Sequence, residues 1–250
     1  MDLPARSRAE LVADQARQPP FGSRVFAADD GPVRVGATGH GETLLLLGWS
    51  ESDLARERAA GARVVAHLGI QAKMRVANAL PGALATPGAL IVGDVNEEIG
   101  ALDVPLGEIG TEAAAKAAWE LLDRVEVGVL LLDPASAEPL LAAAPPQPRP
   151  WWQGIVWLCR PGAPLTLPAV SHLAGWRRRW LAVPEVSSFV ASECAQGRLH
   201  VDAAFEPSVE AGDLVLGPLH PGVPWRYRSG WPARGLGACA CGSPAPAIEP

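Results

Sequence analysis

Cys194, His200, Cys239 and Cys241 are the residues whose types and spacing most directly imply chemistry. A Cys-x5-His pair and a Cys-x-Cys pair together offer three thiolates and an imidazole, the ligand set of a closed tetrahedral zinc site. Four protein ligands leave no position for water, so the implied zinc is structural. Ordinary reduced thiols are one alternative, and a disulfide is another that a reducing compartment disfavours. Cys159, inside the apolar run 155–159, reads as a core residue rather than a nucleophile.

A second constellation lies near the start of the chain, in Gly36-Ala37-Thr38-Gly39-His40-Gly41. The backbone amides of such a glycine turn can cradle phosphate oxygens. Gly36, Ala37, Thr38, Gly39 and His40 are therefore candidate nucleotide contacts, with a solvated turn side chain as the alternative for His40. Lysine chemistry is scarce. Of 21 basic residues only Lys73 and Lys116 are lysines, and arginine does not give up its proton at working pH. Lys116 falls on an Ala-rich helical stretch and reads as a surface residue, whereas Lys73 precedes an apolar strand and reads as close to a cleft mouth. His67, His172 and His220 read as structural histidines, and no Gly-x-Ser-x-Gly elbow occurs.

Positioning these residues requires a scaffold, and the apolar pattern describes one. Residues 5–17 read as an amphipathic helix, and residues 33–35 and 43–47 as strands around the glycine turn. Ser50 followed by Asp53 marks the start of a helix to about Gly69. Strands are expected over 74–80 and 101–106, a helix from the cap Thr111 to about Arg124, and a buried strand over 127–132. Residues 81–100 are ambiguous, because their apolar spacing fits a buried helix that contains three glycines. This βαβ rhythm predicts an α/β fold with a doubly wound sheet. Four prolines in 142–150 suggest a joint, giving a first α/β subdomain (1–144), a second (151–198) and a β-rich tail (199–250).

Composition narrows the setting. With 250 residues, 48% hydrophobic and 19% charged, the chain can bury a substantial core. Its apolar runs fall far short of the roughly 20 residues a membrane-spanning helix needs. The amino terminus lacks the apolar stretch of a secretory signal, which points to the cytoplasm. A net charge of −6 argues against a nucleic-acid partner. Arg177-Arg178-Arg179, bracketed by Trp176 and Trp180, reads as a solvated helix end or a docking patch for an acidic partner.

The order of motifs resembles phenylacetate-CoA ligase and its coenzyme F390 synthetase-like relatives, a branch of the adenylate-forming superfamily. The resemblance is carried by Leu3-Pro4, Leu11, Pro19-Pro20-Phe21-Gly22, the glycine turn, residues 78–82, Gly100-Ala101 and Pro105. It continues through Glu193-Cys194, Gly197, Leu199-His200, Tyr227-Arg228 and Cys239-Ala240-Cys241-Gly242, covering roughly residues 3–248. The last of these is similar to a Cys-Pro-Cys-Gly of the family, which favours zinc.

The resemblance implies the large domain of an enzyme that activates a carboxylic acid with ATP and magnesium and passes the acyl group to a thiol. Trp225-Arg226-Tyr227-Arg228-Ser229-Gly230-Trp231 is similar to the family's Tyr-Arg-Thr-Gly-Asp segment, making Tyr227 and Arg228 nucleotide contacts. Trp231 stands where an aspartate would grip the ribose. Phe189 to Glu193 can be laid over the magnesium segment, with Phe189 against adenine and Glu193 on the metal; an equally fair alignment leaves that segment deleted. The family's carboxy-terminal lid, with its catalytic lysine, is expected to be missing, and adenylation by the chain alone to be severely weakened. Two readings follow: a reduced adenylate-forming protein that binds a nucleotide or acyl/aryl adenylate, completed by a partner chain supplying a lid or carrier function, or an inactive zinc-stabilised scaffold or protein-interaction module. Trp151, Trp152, Trp225 and Trp231 are candidates for an acyl or aryl pocket, for the core, or for a homodimer surface.

Overall fold

The computed structural model describes residues 3–82, 88–162 and 173–249; His172 and part of the ambiguous 81–100 segment lie outside them. A periodicity of two governs the centre of the molecule. Every residue of β6 (Val129–Leu132) and β7 (Gly154–Cys159) is buried. Leu130, Leu132, Ile155, Trp157 and Cys159 belong to one apolar cluster, while Val129, Leu131, Val156 and Leu158 belong to another. Strands apolar on both faces must be covered on both. Leu54, Val64 and Val65 of α2 (Glu51–His67) and Val92 and Val95 of α3 (Ala89–Glu98) cover one face. Trp119 and Leu122 of α4 (Glu112–Val125) and Leu140 and Leu141 of α5 (Pro134–Ala142) cover the other.

These strands pair in parallel with β4 (Arg75–Ala79), β5 (Leu102–Pro105) and β8 (Trp176–Val183), in the order β5-β4-β6-β7-β8. That is a doubly wound order. The sheet then continues antiparallel through β9 (Ser187–Glu193), β10 (Leu199–Val201), β15 (Ala247–Glu249) and β14 (Gly235–Gly237). The result is a mixed nine-stranded sheet that draws strands from all three segments delimited by the sequence. Among the described residues two smaller sheets pack around it. One joins β1 (Ala5–Arg6), β13 (Arg226–Pro232), β12 (Asp213–Leu216) and β11 (Pro207–Glu210), and the other is the hairpin of β2 (Arg34–Thr38) and β3 (Leu45–Trp49).

Helix starts follow local chemistry. Ser50 and Asp53 form the capping box of α2, Thr111 caps α4, and Ser7 with Glu10 forms the box of α1 (Arg8–Arg17), each satisfying amides that the first turn leaves unpaired. The arginine run departs from expectation. Arg177, Arg178 and Arg179 lie in strand β8 rather than at a helix end, because the apolar residues that follow, Trp180–Val183, form an interior strand paired on both sides. Arg178 lies over the Trp176 ring and donates to the His67 carbonyl at the end of α2. Arg179 is held by Glu193.

Candidate functional site

In an open doubly wound sheet, ligands bind beyond the carboxyl ends of the strands. Here that edge carries Arg160 and Pro161 after β7, and Pro184 and Glu185 after β8. They line an open groove of about 1690 Å³ together with Ala37, Thr38, Gly39 and Leu44 of the hairpin, Ser7 to Ala9 at the start of α1, Asp213, and Tyr227 to Gly230 of β13. The two segments that the sequence separates by nearly the whole chain thus share one groove.

A charged knot closes its floor. Arg8 donates to Thr38 Oγ1 at 2.8 Å and to the Thr43 carbonyl at 2.9 Å, and pairs with Glu185. The Glu185 side chain is only 7% exposed. Burial and the adjoining Glu185 carboxylate push the Tyr227 phenol far above its usual range, so it remains a protonated donor. At the rim, Arg160 pairs with Asp133 at 2.5 Å and Arg228 with Glu210 at 3.7 Å.

The glycine turn differs from a simple amide cradle. Gly36, Ala37 and Thr38 are strand residues, paired with Leu47, Leu46 and Leu45, and the turn proper spans residues 39–44. Gly36 faces a different pocket, beside Trp49 and Glu57, and His40 is an exposed turn residue that does not line the groove. Phe189 and Glu193 are also placed elsewhere. Phe189 is fully buried, stacked on Trp180 at 5.2 Å under Gly61 of α2. Glu193 accepts from the Arg179 amide and guanidinium at 2.6 to 2.9 Å. Lys73 is exposed at the amino end of β4, on the opposite edge of the sheet from the groove. Lys116 pairs with Glu112 on the surface of α4.

None of the four tryptophans lines the groove. Trp152 packs near Trp119, with ring centres 5.9 Å apart. Trp225 is buried beneath Arg6, and Trp231 is 5% exposed within the core. Trp231 continues the alternation of β13, in which Tyr227, Ser229 and Trp231 are the buried residues, as the period of two in a strand requires.

The second site is the Cys194, His200, Cys239, Cys241 cluster. Its ligand atoms all lie within 4.8 Å of one another. Cys194 and Cys239 are 3.8 Å apart, and Cys241 is 3.3 Å from His200 Nε2. An ideal tetrahedral site with Zn–S of about 2.3 Å has an S–S edge of about 3.8 Å. His200 Nδ1 lies 2.8 Å from the Ala245 carbonyl; donating to it turns the bare Nε2 toward the thiols, the usual support of a metal-binding histidine. Burial raises the Cys194 thiol, but the amides of Arg198 and Gln196, with His200 and Cys239, outweigh it and bring the pKa to about 6. For Cys241 the Ser243 amide acts downward, yet burial and the Cys239 and Cys194 sulfurs leave the value raised. A divalent cation relieves that crowding of thiolates. The cluster can hold a metal ion such as zinc.

His67 and His220 are engaged within the fold. His67 Nδ1 lies 2.8 Å from Ser192 Oγ, and its ring packs edge-on to His200. His220 is buried between Asp53 Oδ1 at 3.2 Å and Glu57 Oε1 at 3.3 Å, ion pairs whose angles fall short of in-line hydrogen bonds. Arg24 completes the cluster at 2.6 Å from Asp53. Arg8, Arg160, Glu185 and Asp213 are groove residues that sequence reasoning missed. Only Glu185 carried a signal, as a lone acid after a proline between two apolar strands.

No family model and no curated protein matches the sequence. Solved structures do. The chain superposes on 2-hydroxyisobutyryl-CoA ligase, in an open conformation with 2-HIB-AMP and CoA, with a TM-score of 0.80 at 18% identity over 98% of this chain and 62% of that one. The fold is that of the large domain of adenylate-forming enzymes. The N-terminal domain of FACL13 from Mycobacterium tuberculosis gives 0.59 at 13% identity, over 84% of this chain and 56% of that chain. O-succinylbenzoate coenzyme A synthetase from Bacillus subtilis, with ATP and magnesium, gives 0.58 at 15% identity, over 76% and 42%. The chain spans 56 to 62% of the length of the hydroxyisobutyryl-CoA ligase chains. Among the described residues no helix is long and apolar enough to cross a membrane.

Proposed function

We propose that this chain is a nucleotide-binding or acyl-adenylate-binding module of the phenylacetate-CoA ligase-like branch, without ligase activity of its own. The observation that carries the reading is the open groove joining Ala37 to Gly39 with Tyr227 to Gly230. A scaffold that had lost its ligand would be expected to fill that groove, and the tryptophans best placed to do so, Trp225 and Trp231, pack into the core instead. The groove lining has arginines but no lysine, so the cation that would stand beside a reacting carboxylate has to come from a partner chain or a further domain closing over the open face. With that supplied, the reaction is ATP-dependent activation of a carboxylic acid followed by transfer to a thiol. Zinc in the Cys3His cluster is structural in this reading and joins the β9–β10 hairpin to the final strands.

Calorimetric titration of the purified chain with ATP plus magnesium, and with AMP, tests this. Dissociation constants tighter than about 1 mM support the reading. Absence of heat and of any thermal shift with either nucleotide rejects it in favour of a scaffold.

A further inference from the structure

The charged side chains that line the groove are matched in pairs, with one exception. Arg8 is paired with Glu185, Arg160 with Asp133 and Arg228 with Glu210. Asp213 lines the same groove, and among the described residues its side chain has no hydrogen bond or ion pair. Its neighbour across the strand pair, Glu210, takes the nearby cations, holding Arg226 at 2.6 Å as well as Arg228. The groove is therefore left with one uncompensated carboxylate. Such a group has acceptor sites on both oxygens and nothing to donate, so what it takes from a ligand is a pair of hydrogen-bond donors or a cation.

The place of Asp213 in the fold chooses between them. It opens β12 and stands across from Pro232 of β13. The ladder is out of register between Asp213 and Val215, a bulge that bends the opposing stretch of β13. Gly230 in that stretch is exposed, and a Cβ built on it would meet nothing within 4 Å. Asp213 and Gly230 thus border open space on the β13 wall of the groove, whereas the glycine turn belongs to the separate β2–β3 hairpin. With the phosphates of a nucleotide at the glycine turn, the nucleoside is the part left for the β13 wall. A phosphate would also be repelled by a carboxylate that has no counter-charge. The cis-diol of a ribose is neutral, and its adjacent hydroxyls bring two donors to one carboxylate, in bonds strengthened by the charge of the acceptor.

We infer that Asp213 accepts hydrogen bonds from the ribose hydroxyls of the nucleotide and so makes the groove selective for ribonucleotides over deoxyribonucleotides. The inference rests on the nucleotide reading above. The end of β13 offers no rival acceptor, because Ser229 Oγ donates to the Leu214 carbonyl at 2.7 Å and Trp231 is buried.

Calorimetric titration of the full chain with ATP and with 2′-deoxy-ATP, each in excess magnesium chloride and in excess EDTA, tests it. Wild type should bind ATP roughly tenfold or more tighter than 2′-deoxy-ATP, with or without the metal. Asp213→Ala should bring the two nucleotides to the same dissociation constant within about twofold. Removing a negative charge shifts the affinity for both nucleotides alike, so the readout is the ratio between them, which a purely structural role would leave unchanged. Equal binding of both nucleotides by wild type overturns the inference whether or not the variant folds, and so does a preference for ATP that survives in Asp213→Ala. Binding that needs magnesium in wild type, shows no ribose preference and loses its magnesium dependence in Asp213→Ala makes the residue a metal anchor and also overturns it. Absence of ATP binding by wild type in either medium instead removes the nucleotide reading, and the inference with it.

Discussion

Replacing Cys239 with serine removes one ligand from a cluster that cross-links distant chain segments. Cys194 and Cys239 are 45 residues apart, and a metal bridging them closes a loop of that length in any unfolded chain that keeps it. Treated as a cross-link, a loop of this size is worth about 4 kcal/mol of chain entropy. For a chain of 150 to 250 residues each kcal/mol moves the melting temperature by about 2–4 °C, so full loss of the tie corresponds to roughly 8–16 °C. The assay pairs zinc analysis of the purified protein with thermal melts of wild type, wild type treated with a strong chelator, and Cys239→Ser. About one zinc per chain is expected in wild type, with chelated wild type and the variant both melting lower by a similar margin. Zinc-free wild type, with a melting temperature that neither chelator nor substitution changes, would refute the reasoning.

Two further outcomes follow from buried groups. Burial lowers the pKa of His220, but Asp53 and Glu57 outweigh it and leave the value above the ordinary 6.5, so its imidazolium stabilises the fold in full below about pH 6.5 and that contribution is lost as pH rises through the folded-state value. Urea denaturation should therefore show stability falling above that pH in wild type and a flatter profile in His220→Gln; equal slopes would remove His220 as the cause. Trp231→Asp puts a carboxylate into the core and should cost about 3–5 kcal/mol without improving nucleotide binding, whereas unchanged stability with tighter binding would place Trp231 at the groove.

Much of the scaffold was legible because it follows from local physics. Alternating or continuous apolar runs over 74–80, 101–106 and 127–132 became β4, β5 and β6, and the Ser50–Asp53 and Thr111 caps became real helix starts. The arginine run 177–179 was misread because charge in a short window looks like a solvated end; the apolar residues after it and two neighbouring strands decide otherwise. Phe189 and Glu193 were offered as site residues from segment similarity alone. In space, burial under α2 and the reach of Arg179 place them away from the groove.

By itself, the sequence determined the four metal-type ligands, the glycine and Tyr-Arg segments, and the βαβ rhythm, since each depends on residue identity and short spacing. Only the tertiary structure decided that Arg8, Thr38, Glu185 and Tyr227 meet, that Trp231 turns into the core, and that His220 lies between Asp53 and Glu57. Those contacts join residues separated by up to more than 200 positions along the chain, and their energy depends on burial and distance, which exist only once the sheets have packed.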